Sequence, residues 1–210
     1  TNIITYDMIV SIIFQVFASI LTMYSIFGIK HNDFHLGNIM FKPVQHEYIY
    51  YKCNSIYYKV PTYGYMVKII DWGRGTYQFN EISGNNDVFN GLGECFEQYV
   101  YSRLNNKGAY PVNIDDNHWT DIIMVSQCFL NEFKKQLKDT DLERLLFKQI
   151  TTVDKKKLEV CHLSWDMYVK ITNSQFKINP REILTNRVFQ KYKVKLSKIT
   201  NVSPIYHIIV

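Results

Sequence analysis

The sequence has few cysteines, and they form no closely spaced pair. Its four cysteines, at positions 53, 95, 128 and 161, lie more than thirty residues apart, with no CxxC pair and no zinc-finger spacing. Such spacing supports neither a disulfide framework nor a structural zinc finger. It predicts free, mostly buried thiols in a reducing compartment.

The chain also lacks a large charge excess, an internal repeat and a low-complexity linker. With 210 residues, 47% hydrophobic and 20% charged, it is predicted to form one globular domain around one core. The net charge of +5 and the pI of about 8.9 are too modest to predict nucleic-acid binding by themselves. We therefore expect no nucleic-acid partner, and interpret the basic segment 191–198 as an exposed strand or loop face.

No charged residue occurs between Met8 and Ile29, a run long enough to span a bilayer. Polar residues nevertheless recur every three or four positions, which predicts a polar stripe along one side of a helix, formed by Ser11, Gln15, Ser19, Thr22 and Ser25. No basic cluster or pair of aromatic belts frames the run. We therefore expect a buried helix ending near Gly28, with a membrane span as the alternative. No cleavable signal is visible, and the start at Thr1 leaves open whether the natural N-terminus lies upstream.

Two stretches concentrate the chemistry of the chain. Residues 29–42 (IKHNDFHLGNIMFK) place two imidazoles, a carboxylate and an amide, those of His31, His35, Asp33 and Asn38, within eight positions between apolar segments. Residues 67–75 (VKIIDWGRG) are a short β-branched run that ends in Asp71 and Gly73, which predicts a strand delivering one carboxylate to a turn. We interpret the two stretches as halves of one phosphoryl-transfer site.

Phosphoryl transfer needs a group that orients the attacking hydroxyl and oxygen ligands that hold magnesium on the phosphates. Asp33 would accept or orient the hydroxyl proton, and Asn38 and Asp71 would be the Mg²⁺ ligands. His35 could bond a phosphate or a substrate group, while His31 would brace the loop. As an alternative, His31, His35 and Asp71 could bind zinc, but no HExxH glutamate is present and Gly37 opposes a continuous helix.

Periodicity and turn residues predict the remaining elements. After a strand at Asn38–Phe41, the Tyr-rich segment Glu47–Gly64 has the pattern of a hairpin around Cys53, Asn54 and Ser55. Further predictions are a strand at Tyr65–Ile70, a loop or short helical turns at 80–95, a helix from about Asp121, a solvated helix and loop at 134–157, an amphipathic segment at Trp165–Ile171, and a helix capped by Asn179 that begins with Pro180.

HNDFHLGN resembles the catalytic loop of the protein-kinase superfamily, in which His-x-Asp is followed by Asn five positions after the Asp. IIDWG resembles its metal-binding Asp-Phe-Gly, with Trp72 in place of Phe. Within the superfamily, the closer resemblance is to serine/threonine kinase-like proteins of giant DNA viruses and, more distantly, to haspin. Those proteins also carry a His two residues after the catalytic Asp and a Tyr-rich hairpin before the second motif.

The resemblance implies an α+β, mainly helical fold, the C-terminal (large) lobe of the protein-kinase-like fold, over residues 1–210. Within it, Asp121 falls where the family's buried helix carries an Asp that ties down the catalytic loop, and Gly73 supports the metal-binding turn. ATP, Mg²⁺ and a protein substrate are implied as ligands. The expected parts are a catalytic loop at 29–42, a Tyr-rich hairpin at 47–64, a metal-binding turn at 67–75, a helical remainder at 115–190 and a basic tail at 191–210.

The sequence departs from the family in three ways. Asn32 replaces the Arg that reads a phosphorylated activation loop in many kinases, and no Ala-Pro-Glu-like element follows Asp71. The small lobe is absent, since residues 73–75 and 91–93 are turn glycines rather than a phosphate loop, so a missing lobe or partner chain is expected upstream. The expected function is a serine/threonine protein kinase in the host cytoplasm or virion. The alternatives are an inactive kinase-like structural or interaction module and a small-molecule phosphotransferase.

Overall fold

The computed structural model of the protein describes residues 4–80, 82–85, 88, 93–95, 119–152, 155–172, 174, 176, 178–199 and 205–208. Within these ranges the chain combines helices with small sheets. The helices are α1 (Tyr6–Phe27), α2 (Thr120–Glu132), α3 (Lys134–Leu137), α4 (Asp141–Gln149), α5 (Trp165–Thr172) and α6 (Pro180–Thr185). The strands are β1 (Ile39–Pro43), β2 (Tyr48–Cys53), β3 (Ile56–Pro61), β4 (Tyr65–Ile69), β5 (Thr76–Phe79), β6 (Ile82–Asn85), β7 (Lys193–Val194) and β8 (Ile205–Ile208). Short 3₁₀ turns cover Leu36–Asn38, Arg187–Tyr192 and Leu196–Lys198.

Helix α1 has a defined cap at each end. The Thr5 hydroxyl accepts a hydrogen bond from the Met8 N–H at 3.3 Å, which satisfies one of the first unpaired amides. Gly28 ends the helix in the left-handed region, at φ +59°, and its N–H bonds to the Tyr24 carbonyl at 2.7 Å. A Cβ at Gly28 would lie 2.2 Å from the Gln78 carbonyl oxygen, so this position requires glycine for close packing as well as for conformation.

The same helix is long and apolar enough to cross a membrane by length and composition alone. It lies in the core of this fold, since Phe14, Phe17 and Leu21 are fully buried. Its polar stripe is partly buried too: the Ser11 hydroxyl donates to the Pro61 carbonyl at 2.5 Å, and the Gln15 side-chain oxygen accepts from the Val67 N–H at 3.0 Å. The stripe therefore attaches α1 to the β3–β4 segment.

The strands form three small sheets. β1 and β4 pair antiparallel, with Ile39 opposite Ile69, and the third sheet pairs β5 with β6. The four-stranded sheet has the order β7-β3-β2-β8 and contains the Tyr-rich hairpin, whose turn passes through Asn54 at φ +53°. The sequence predicted a loop or helical turns for residues 80–95, and this prediction was wrong for β6. The sequence 82–85 has weak strand propensity, but pairing with β5 supplies its hydrogen bonds.

The core joins α1 to the Tyr-rich sheet and to the later helices. The Phe14 ring lies 5.0 Å from Tyr58 and 5.1 Å from Phe189, centroid to centroid, within the range of favourable aromatic pairs. Phe129 and Leu130 of α2 are buried in the same cluster. All four cysteines are free thiols. Most of residues 86–118, and residues 200–204 and 209–210 of the predicted tail, lie outside the described residues, so the predictions made there stay predictions.

Candidate phosphoryl-transfer site

The loop that carries the candidate residues lies between α1 and β1, beside the end of β4. Two hydrogen bonds join it to Ile70, the residue before Asp71: the Ile70 N–H donates to the Asn38 carbonyl at 3.1 Å, and His31 Nε2 lies 2.8 Å from the Ile70 carbonyl oxygen. The two sequence stretches, 29–42 and 67–75, therefore meet at one end of the β1–β4 sheet.

His31 is buried at the centre of this junction. Its Nδ1 accepts a hydrogen bond from the Asp33 N–H at 3.3 Å, so the proton of the neutral ring lies on Nε2 and is donated to Ile70. The ring also contacts Phe34 and Trp72, at centroid distances of 5.1 and 4.7 Å. With both nitrogens engaged, His31 braces the loop and offers no lone pair to a zinc ion.

Asp121, near the start of α2, anchors the same loop through its carboxylate. Its Oδ2 accepts from the His31 N–H at 2.6 Å and its Oδ1 from the Asn32 N–H at 2.8 Å. The side chain is 3% exposed. Burial raises the pKa of the Asp121 carboxyl, while the His31 side chain, the two N–H donors and Lys30 act in the opposite direction. One carboxylate therefore fixes two consecutive main-chain amides of the loop.

Asn38 is oriented by a bond of its own side chain. Its Nδ2 donates to the Asp33 carbonyl at 2.8 Å, which fixes the orientation of the amide group. That oxygen makes no hydrogen bond within the described part of the chain. Asn38 thus presents a hard oxygen donor of the kind that Mg²⁺ prefers.

Asp71 follows Ile70 directly and lies in the left-handed region, at φ +61°. This conformation is uncommon outside glycine, although Asp and Asn adopt it more readily than most residues. The Gly73 N–H approaches Asp71 Oδ1 at 3.4 Å, and a Cβ at Gly73 would lie 3.3 Å from that oxygen. The Asn38 amide oxygen and the exposed Asp71 carboxylate are both hard oxygen donors, the kind of ligand that suits Mg²⁺ chemically. Among the described residues, no group of three or more His, Cys, Asp and Glu side chains could hold a metal ion.

Asp33 is held by two side chains that sequence reasoning missed. Its Oδ1 accepts from the Tyr168 hydroxyl at 2.7 Å and lies 3.4 Å from an Arg74 guanidinium nitrogen. Arg74 also approaches the Glu94 carboxylate at 3.5 Å. Tyr168 lies 135 residues from Asp33, so no local pattern could have paired them. Arg74 directly follows the Asp-Trp-Gly turn, and that adjacency was the available signal.

His35 lies at the open side of Asp33. Its Nδ1 accepts from the Gly37 N–H at 3.1 Å, while its Nε2 is 4.0 Å from Asp33 Oδ2 and its side chain is 43% exposed. The imidazole is therefore oriented by the loop, with Nε2 directed toward the same space as Asp33 Oδ2. This placement suits a contact with a phosphate or a substrate group.

The electrostatics around Asp33 favour a fixed charge pair. Burial lowers the pKa of the Arg74 guanidinium, but Asp33 and other neighbours outweigh that effect and raise it. Burial, followed by the hydrogen bond to Asp33, raises the pKa of Tyr168, so the phenol keeps its proton as a donor. Burial also raises the pKa of Cys95 to about 11, so this buried thiol stays protonated at neutral pH.

An exposed apolar face lies beside the candidate metal ligands. Met40 on β1 is 52% exposed and Ile70 is 41% exposed. Met40 pairs with Lys68 across the β1–β4 sheet, so these two side chains lie on the same side of it, and Ile70 directly follows the end of β4. Two exposed apolar residues and one cation therefore lie within three positions of Asn38 or Asp71 in the chain.

No family model matches the chain. It is similar in part to two curated proteins, both serine/threonine-protein kinase haspin. The haspin of Mus musculus is 29% identical over 135 residues, which are 61% of this chain and 18% of that protein. That of Bos taurus is 31% identical over 107 residues, 48% of this chain and 14% of that protein.

The chain thus spans less than a fifth of the length of either relative. This weak, partial similarity supports a kinase-like domain and, at most, a kinase-like superfamily. The resemblance to giant-virus proteins stays a prediction. The roles of Asp33, Asn38 and Asp71 are likewise proposals.

Proposed function

We propose that this chain is the large-lobe portion of a serine/threonine protein kinase, which transfers the γ-phosphate of ATP to a hydroxyl group of a protein. The main support is the junction at Ile70, which joins the end of β4 to the loop of Asp33 and Asn38. The partial similarity to haspin supports the same chemical class. In this fold the chain would work with a second, ATP-covering lobe.

Each candidate residue has a distinct role in the proposed reaction. Asp33 orients the acceptor hydroxyl and takes its proton as the new O–P bond forms and the bond between the γ-phosphorus and the ADP oxygen breaks. Asn38 Oδ1 and the Asp71 carboxylate would hold Mg²⁺, which supplies charge neutralisation on the phosphates. His35 Nε2 would contact a phosphate or substrate group from the open side of Asp33.

The apolar face supports a nucleotide as the ligand. A purine base can cover Met40 and Ile70, which are otherwise exposed to water, and removing apolar area from water favours binding. Phosphates extending from that base toward Asn38 and Asp71 would pass Lys68, whose charge has the complementary sign. An inert packing surface would not need two oxygen ligands and a cation at its edge.

The proposal is tested by magnesium-dependent phosphorylation with the full-length protein. We expect wild-type protein to label a protein acceptor from ATP, and Asp33→Ala and Asp71→Ala to lose the labelling. Thermal unfolding with and without ATP and Mg²⁺ separates the two roles: Asp71→Ala should lose the ligand-induced stabilisation, while Asp33→Ala should keep most of it. Asp166→Asn, an exposed change at the start of α5, is the control and should behave as wild type.

Three results would contradict the proposal. Labelling that persists unchanged in both alanine variants would refute the assigned roles. A full-length protein that neither labels an acceptor nor shifts its unfolding temperature with ATP and Mg²⁺ would favour the inactive kinase-like module. Labelling of small hydroxylated molecules in preference to protein would favour the small-molecule phosphotransferase.

A further inference from the structure

Tyr168 contacts the candidate base although it lies in a distant helix. Its hydroxyl donates to Asp33 Oδ1 at 2.7 Å, and the residue is only 7% exposed. A buried phenol that donates to a carboxylate makes a charge-assisted hydrogen bond, which is stronger and more directional than a bond between neutral groups.

The two oxygens of Asp33 have different surroundings. Oδ1 receives the Tyr168 hydroxyl and faces Arg74 at 3.4 Å. His35 Nε2 lies 4.0 Å from Oδ2, too far for a hydrogen bond. Tyr168 and Arg74 therefore both contact the carboxylate through the same oxygen, Oδ1.

The Tyr168 ring is itself fixed on two sides. It stacks with Trp165 at a centroid distance of 6.5 Å and an interplanar angle of 22°, and the Arg74 guanidinium carbon lies 6.0 Å from its ring centre. The phenol and the guanidinium thus support each other as well as Asp33. Removing the hydroxyl alone should leave this ring packing in place.

We propose that Tyr168 is a positioning residue, which together with Arg74 holds Oδ1 of Asp33 and so directs Oδ2 toward the acceptor hydroxyl. The catalytic part of this inference rests on the proposed function. A carboxylate free to rotate presents either oxygen in many orientations, whereas one held at Oδ1 presents Oδ2 in a single orientation. Small losses of alignment between reacting groups are costly in rate.

Steady-state kinetics of Tyr168→Phe test the catalytic part. We expect kcat to fall by about ten- to hundredfold. KM for ATP should stay close to that of wild type, because the Tyr168 hydroxyl contacts Asp33 and not the proposed metal ligands Asn38 and Asp71. Tyr192→Phe is a matched control, since the Tyr192 hydroxyl is also buried but has no hydrogen-bond partner in the described structure. Its kcat should stay near wild type, and an equal fall of kcat in both variants would overturn the positioning role.

A double-mutant cycle tests the contact without any activity measurement. Urea unfolding of wild type, Tyr168→Phe, Asp33→Ala and the double variant should give non-additive shifts of the midpoint, because the second substitution has no hydrogen bond left to break. Additive shifts would overturn the inference whatever the kinase assay shows. If the cycle shows coupling but wild-type protein transfers no phosphate, the proposed function fails while the positioning of Asp33 by Tyr168 stands.

Discussion

Asp121 gives a direct test of how the candidate loop is held in place. Its two carboxylate oxygens each accept one main-chain N–H, from His31 at 2.6 Å and from Asn32 at 2.8 Å. Asp121→Asn keeps the shape of the side chain but replaces one acceptor by an NH₂ donor. That donor would face a main-chain N–H, and neither group could find water at this buried position.

The expected cost follows from the number of amides left without an acceptor. One buried and unsatisfied N–H costs about 1–3 kcal/mol, so Asp121→Asn should destabilise the fold by about that amount. Asp121→Ala leaves both amides without an acceptor and should cost about 2–6 kcal/mol, twice the single penalty. Urea unfolding followed by circular dichroism measures both values.

Glu132→Gln is the matched control for this comparison. It makes the same carboxylate-to-amide change in the same helix, but at an exposed position, and surface substitutions usually change stability by about 0.5 kcal/mol or less. If the free energies of unfolding of Asp121→Asn and Asp121→Ala are both within about 0.5 kcal/mol of the wild-type value, the carboxylate does not anchor the loop and the reasoning is refuted. A further expected result is loss of phosphoryl transfer in Asp121→Ala, because the orientation of Asp33 depends on the anchored amides.

Two further predictions concern helix α1. Gly28→Ala should destabilise the protein by about 2 kcal/mol or more, since its Cβ would lie 2.2 Å from the Gln78 carbonyl oxygen. Gly64 also has a positive φ but has no atom within 4 Å of such a Cβ, so Gly64→Ala should cost only about 1 kcal/mol. Thermal unfolding measures both variants, and an equal loss of stability would refute the close approach at Gly28. Gln15→Leu should cost about 1–3 kcal/mol of unfolding free energy because it leaves the Val67 N–H without its acceptor. The control is Thr22→Ala: Thr22 is half-buried, and its hydroxyl donates to the Ala18 carbonyl within the same helix, so this change should cost far less. Urea unfolding compares the two variants.

Local sequence patterns were sufficient for the elements that are defined by neighbouring residues. The apolar run, the Gly28 stop and the Asn54 turn each depend on short-range rules, and α1 and the Tyr-rich hairpin lie where those rules placed them. The residues around Asp33 were different. Tyr168 reaches it across 135 positions, and an amphipathic segment shows only which side is apolar, not which polar tip reaches a distant carboxylate.

The polar stripe of α1 shows a second limit of sequence reasoning. Periodicity identified Ser11 and Gln15 as sharing one side of the helix, but could not distinguish a solvated side from one that bonds to main chain. In the structure both residues are buried, and they satisfy groups of Pro61 and Val67. Buried polar side chains are hydrogen-bonded, and the partner of each one depends on the tertiary fold. Sequence periodicity therefore could not predict which groups Ser11 and Gln15 would contact.

The His31 side chain links the main chain at Asp33 to the main chain next to Asp71. His31 connects the two, because its Nδ1 accepts from the Asp33 N–H while its Nε2 bonds to the Ile70 carbonyl, one residue before Asp71. The Trp72 ring packs on the His31 ring at a centroid distance of 4.7 Å. His31 therefore contacts both neighbours of Asp71, Ile70 through a hydrogen bond and Trp72 through its ring. These contacts fix the main chain before Asp71 relative to that of Asp33 through one buried histidine.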